Sequence, residues 1–232
     1  MNTTLIEILK DFTSLFFPNY CLACDNTLVK GEEIVCTSCM TEMPQTDYHF
    51  YRENTLQSRL ALRIPVVYAM ALFKFAKSSR VQHLLHNLKY KNHPEIGVML
   101  GKVYGTRLID SGFSNQFDLI LPVPLHESRK RKRGYNQSAK FAEGLSEKFN
   151  IPFSDTLLTR ARNTQTQTRK TKLNRWQNVN DVFLIKANES IKGKHILLVD
   201  DIITTGATIE ACGQTLLENG CGKLSIACLA EA

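Results

Sequence analysis

The stretch VDDIITTGAT at 199–208 sets two adjacent carboxylates, Asp200 and Asp201, just ahead of Thr204, Thr205, Gly206, Ala207 and Thr208. Four apolar residues at 196–199 precede the acids. Such a run describes a strand buried on both faces, and ligands of open α/β sheets bind beyond the carboxyl ends of such strands. Both acids are therefore expected at the mouth of a crevice. The residues after them lead into a helix, whose N-terminal N–H groups and positive end favour an anion such as a phosphate monoester. Gly206 lets the backbone approach closely, and the threonine hydroxyls add donors. The acids repel that phosphate. They suit hydroxyl donors, Mg²⁺ or a developing positive charge. A ribose 5-phosphate carries both the phosphate and the hydroxyls. A Walker-type loop would require a Gly-Lys-Ser/Thr ending, which is absent here.

A second anion site is suggested by DLILPVPLHESRKRKRGYNQ. An apolar strand ends at Pro122, Val123 and Pro124, whose restricted φ angles fix an abrupt turn. Basic residues fill every position from Arg129 to Arg133, and Gly134 follows. Arginine forks match the oxygens of a pyrophosphate. A solvated basic loop, or contact with a nucleic-acid backbone, is the alternative.

Cys21-x-x-Cys24 and Cys36-x-x-Cys39 form two pairs. Their spacing suits a closed, tetrahedral, structural Zn²⁺ site whose metal supplies folding energy to a short segment. Two redox dithiols are the alternative. Cys212, Cys221 and Cys228 have no comparable spacing and fit buried apolar positions. His83 and His86 lack a third ligand in register. His126, near the proposed pyrophosphate turn, is a candidate donor. Tyr135 and Trp176 suit either stacking on a base or burial.

These groups need elements to hold them. Strand patterns at 66–75, 117–124, 195–200 and 223–232 alternate with helical patterns at 79–90, 95–110, 136–149 and 208–220, as expected of an α/β fold with a parallel sheet. A short strand falls within 151–161. The polar stretch 161–182 reads as a mobile loop or short hairpin. Residues 1–45 form a separate unit, an amphipathic helix followed by the cysteine pairs, and the larger domain occupies 65–232. The chain of 232 residues is 43% hydrophobic and 22% charged, which fits a globular protein. Its formal charge of +7 suits an anionic partner without choosing one. No stretch is long and apolar enough for a membrane span, and the N-terminal residues do not read as a signal peptide. Peripheral membrane contact through Phe16 and Phe17 is left open.

VDDIITTGAT resembles the 5-phosphoribosyl 1-pyrophosphate (PRPP) motif of type I phosphoribosyltransferases. The resemblance implies that Asp200 and Asp201 are the reacting-site acids. They would bind the ribose hydroxyls directly or through Mg²⁺, while residues 204–208 hold the 5-phosphate. PVPLHxxRxxxRGYNQ, the cysteine quartet and RARNTQTQTRKTKLNRWQNVNDVF together resemble the ComF family, over nearly the whole chain. This implies a type I phosphoribosyltransferase-like parallel sheet flanked by helices, with a small N-terminal zinc finger. Arg160, Gln167, Arg175, Asn178 and Phe183 occupy the family's places along the mobile segment. Lys170 stands where the family usually has an apolar residue. Lys89 and Tyr90 resemble a lysine–tyrosine pair of the family, with helix-end packing as the alternative. The family is associated with natural transformation. The resemblance therefore implies a cytoplasmic protein acting near single-stranded DNA and the competence machinery, with a place peripheral to the inner membrane as the alternative. It would work either as a transferase or as a PRPP-sensing accessory protein.

Overall fold

Four apolar segments lie side by side in parallel, in the spatial order β1 (Ala69–Lys74), β6 (Lys223–Glu231), β5 (His195–Ile203) and β2 (Leu119–Pro122). A computed structural model describes residues 17–160, 183–187 and 190–232. Side chains alternate across a strand, so β5 divides its apolar run between two layers. Leu197 and Val199 face a core with α3 (Arg80–Tyr90), α4 (Glu95–Leu108) and α6 (Gln137–Phe149). Ile196 and Leu198 face another with α2 (Thr55–Ala61) and α7 (Ala207–Glu218). Both layers are dry at β5, where residues 196–199 are fully buried. The remaining elements are α1 (Thr37–Glu42), a π-helical turn that continues α4 (Ile109–Phe113), α5 (Glu127–Arg133) and an antiparallel pair, β3 (Leu158–Arg160) with β4 (Phe183–Ile185).

Local sequence explains most boundaries. Ser79 caps α3 by accepting from the Gln82 N–H at 3.2 Å, and Asn136 caps α6 by accepting from Ser138. The α4–α6 contact depends on glycine. A Cβ at Gly144 would lie 2.1 Å from the Val98 carbonyl, and one at Gly101 would lie 2.5 Å from that of Phe141. The two helix backbones thus touch where side chains would otherwise hold them apart.

Two expectations need correction. The strand expected to stop at Asp200 continues to Ile203, because β6 pairs with it through Asp200↔Cys228, Ile202↔Ala230 and Ile203↔Glu231. The acids therefore belong to the strand. The basic run 129–133, expected as a loop, is the body of α5. Arginine and lysine are good helix formers. His126 caps this helix through Nδ1, which accepts from the Ser128 N–H at 3.2 Å, and Gly134 ends it with φ +81°. Residues 46–64, for which the sequence suggested no element, contain α2, whose Leu56 and Leu60 are fully buried.

The cysteine segment packs on the same layer as α3 and α4. Cys21, Ala23, Val35, Cys36, Cys39 and Met43 share one buried cluster with Leu84, Leu88, Ile96 and Leu100. The Asn87 amide donates to the Leu22 carbonyl at 2.8 Å. The N-terminal helix expected before Phe17, and residues 161–182, lie outside the described residues. No described helix is long and apolar enough to cross a membrane.

Candidate functional site

The crevice opens where one neighbour of β5 stops. β2 pairs with β5 only as far as Pro122↔Val199, and the Val123 N–H donates to the Val199 carbonyl at 2.8 Å. Beyond that point the proline turn carries the chain away, while β6 still supports β5 on the other side. A cleft of about 280 Å³ fills the gap. Asp200, Asp201, Thr204 and Thr208 form one part of its wall; Lys89, Val123, Pro124, Arg129, Arg133, Ser138 and Arg160 form others.

Asp200 is the more constrained of the two acids. Its Oδ1 accepts from the Ser138 hydroxyl at 2.9 Å and from the Asp201 N–H at 2.8 Å. Burial, followed by the charge of Asp201, pushes its carboxyl up to about 7; the two hydrogen bonds and Lys89 oppose that rise. Asp201 is paired with Lys89, whose Nζ lies 3.1 Å from Oδ2. Lys89 comes from the end of α3 and reaches into the cleft, so it does more than pack a helix end. Neighbouring Tyr90 is 56% exposed, with the Arg133 guanidinium 5.1 Å above its ring. Arg133 also donates to Gln137 Oε1 at 2.8 Å, which points it inward from the end of α5.

The turn after β5 is shaped for close approach. Gly206 has φ +82°, and a Cβ there would meet Leu60 at 2.9 Å. α7 starts at the next residue, so its first N–H groups lack partners within the helix. Arg63 steadies the turn from outside by donating to the Thr205 carbonyl at 2.9 Å and pairing with Glu210 at 3.2 Å. Thr204 and Thr205 are exposed.

The residues singled out from the sequence divide clearly. The fold brings Asp200, Asp201, Thr204, Thr208, Val123, Pro124, Arg129, Arg133 and Arg160 to the cleft wall. Thr205, Gly206 and Ala207 shape the adjoining turn. Pro122 lies within β2, and Gly134 caps α5; neither lines the cleft. His126 caps a helix. Tyr135 donates its hydroxyl to the Leu88 carbonyl, a packing role. Gln167, Arg175, Asn178 and Trp176 lie outside the described residues. Nothing in the sequence pointed to Ser138 or Arg63. Ser138 reads as an ordinary residue of a helix start, and Arg63 acts on a turn 142 positions away.

Cys21, Cys24, Cys36 and Cys39 form the other chemical cluster. Their sulfurs lie within 4.8 Å of one another, and among the described residues this is the one cluster of three or more His, Cys, Asp or Glu side chains close enough to share a metal ion. One sulfur pair, Cys24–Cys36, is separated by 3.9 Å. A tetrahedron with arms of about 2.3 Å has edges of about 3.8 Å, so the quartet fits a four-coordinate ion. Burial raises the Cys21 thiol, but N–H donors led by Cys36 outweigh it and bring it to about 7. Burial, then the neighbouring sulfurs, pushes Cys39 well up. Without a cation the thiolates oppose one another. Cys212, Cys221 and Cys228 are buried away from this quartet.

The chain is similar to several known proteins. The family model described as "Phosphoribosyl transferase domain" matches residues 135–232. The chain is 26% identical over 230 residues to "DNA utilization protein YhgH" of Shigella flexneri, covering 93% of this chain and 98% of the relative. It is 25% identical over 223 residues to "Competence protein ComFC" of Bacillus subtilis, covering 86% and 89%. To "Competence protein F" of Haemophilus influenzae it is 29% identical over 153 residues, covering 64% and 67%.

Proposed function

We propose, for a chain that belongs to the ComF family and carries a type I phosphoribosyltransferase domain, that the cleft binds PRPP and supports transfer of its phosphoribosyl group. One observation carries the reading: the acids of β5 and the threonines of the following turn line a single open cleft with Lys89, Arg129 and Arg133. The 5-phosphate would sit at Thr204–Thr208 and the start of α7, and the ribose hydroxyls at Asp200 and Asp201. The pyrophosphate would sit at Val123, Pro124, Arg129 and Arg133.

In the reaction the bond from ribose C1 to pyrophosphate breaks as the acceptor bonds to C1, through an oxocarbenium-like sugar. The chain contributes position and charge. Arg129, Arg133 and Lys89 neutralise the charge growing on the leaving pyrophosphate. Asp200 and Asp201 hold the sugar through its hydroxyls, and no side-chain nucleophile is needed. The paired carboxylates are oxygen ligands of the kind Mg²⁺ prefers; that ion, when bound with PRPP, would offset the phosphate charge. At the cysteine quartet Zn²⁺ is the proposed metal, with a structural role. The relatives' names extend the proposal to the uptake or use of DNA.

Titration calorimetry tests the binding step. Wild-type protein should bind PRPP in the presence of Mg²⁺, and Asp201→Asn should weaken that binding at least tenfold. An unchanged affinity would overturn the assignment of the acids. Pyrophosphate release with a panel of bases tests turnover. Lys130, Arg131 and Lys132 are exposed outside the cleft wall. They favour a second reading, in which the protein binds PRPP without turnover and meets a nucleic-acid backbone through α5. Retained PRPP binding with no pyrophosphate released across the panel would select that reading.

A further inference from the structure

A second cavity lies at the β1 edge of the sheet, away from the β5–β2 crevice. Residues beside Gln45 run antiparallel to β1, with a bridge at Gln45↔Phe73 and the Lys74 N–H donating to the Pro44 carbonyl at 2.8 Å. The chain then turns at Asp47, with φ +54°, and returns across the start of β1. Asn54 fixes this return. Its amide donates to the carbonyls of Tyr51 and Ala69, each at 3.0 Å, and its Oδ1 accepts from the Gln57 N–H at 2.9 Å. Between this braced loop and Phe113 lies a cavity of about 150 Å³.

Its wall is aromatic. His49, Phe50, Tyr51, Tyr68 and Phe113 line it, together with Arg52. Tyr68 and Phe113 meet edge to face at 5.0 Å. Phe50 and Tyr51 are 65% and 64% exposed, although the loop that carries them is held in place. The Arg52 guanidinium lies 5.6 Å from the Tyr68 ring. No acidic side chain lines the cavity. Burial lowers the His49 imidazole below its ordinary value, so the ring is neutral at pH 7. Exposed rings and an arginine around a space of this size suit a flat heterocycle attached to something anionic.

We propose that this cavity binds a nucleobase, stacked on Phe50 and Tyr51, with Arg52 meeting the phosphate attached to it. The base could come from a single-stranded nucleic acid or from a free nucleotide. The PRPP reading does not enter this inference.

The test uses the full chain and fluorescence anisotropy. A dye-labelled oligodeoxynucleotide is compared with an abasic strand of the same length, and AMP and dTMP are titrated as competitors. If a strand supplies the base, the base-bearing strand binds more tightly than the abasic one. Phe50→Ala and Tyr51→Ala then each lower its affinity by about 5- to 150-fold, and Arg52→Ala reduces the salt slope by about 0.7. If a nucleotide supplies it, AMP or dTMP binds with the same sensitivity to Phe50→Ala and Tyr51→Ala, while the two strands bind alike. PRPP affinity, measured in parallel, stays at the wild-type value in all three variants. The proposal is overturned if base-bearing and abasic strands bind alike and neither nucleotide binds. It is also overturned if Phe50→Ala and Tyr51→Ala leave every affinity unchanged.

Discussion

Asp200 shows how one residue sets stability against function. An aspartate in an unfolded chain titrates near 3.9, whereas burial and Asp201 raise this one to about 7. Between those values the folded state holds a proton that the unfolded state has released. The stability tied to that proton is complete below about pH 4 and lost as pH rises to about 7. Asn at this position keeps an acceptor for Ser138 and the Asp201 N–H without the buried charge. In ligand-free protein at pH 8, Asp200→Asn should therefore raise the melting temperature by several degrees, with no gain at pH 4. Scanning calorimetry at the two pH values decides the matter; a lower melting temperature at pH 8 would contradict the burial argument. The same proton competes with PRPP and Mg²⁺, so wild-type affinity should fall as pH drops below about 7. The acids were legible in the sequence because the threonine–glycine turn follows them in fixed register; a pair of acids after an apolar strand would be ordinary alone. Their partners Ser138 and Lys89 are set by the packing of α3 and α6, which no local spacing encodes.

At the scale of elements, the glycines of α4 and α6 decide how the helices lie under the sheet. A Cβ at Gly144 would stand 2.1 Å from a backbone oxygen, which cannot rotate away as a side chain could. Gly144→Ala should cost about 1–3 kcal/mol by forcing the helices apart, outweighing the better helix propensity of alanine, about 1 kcal/mol. Urea unfolding measures this, and an unchanged or raised midpoint would refute the close-contact account. Helical periodicity identified both helices, yet in sequence these glycines read only as weak helix formers. The end of β5 was hidden for a related reason. Asp200 and Asp201 are poor strand residues, but β6 supplies ladder partners that carry the strand to Ile203.

For the whole molecule, the cysteine segment acts on the larger core. Cys21, Cys36 and Cys39 are buried among residues of α3 and α4, and α3 delivers Lys89 to the cleft. Removing the proposed zinc would leave mutually opposed thiolates against that layer. Chelation, or Cys39→Ser, should therefore lower the melting temperature of the whole chain in one transition and weaken PRPP binding as well. Elemental analysis should find one zinc per chain in untreated protein. A separate early transition that left the main unfolding and PRPP affinity untouched would show that the segment folds independently.

By itself, the sequence indicated most of the strands and helices and named the candidate groups for chemistry, because apolar period, helix caps and the cysteine and acid–threonine spacings are local properties. Tertiary structure alone decided what those groups meet. β2 ends early and opens the crevice, α5 turns two arginines inward, Arg63 reaches a turn far along the chain, and the 47–54 loop gathers aromatic rings at the opposite edge. Those meetings arise from packing between segments distant in the chain, where the burial of one surface fixes the direction of another.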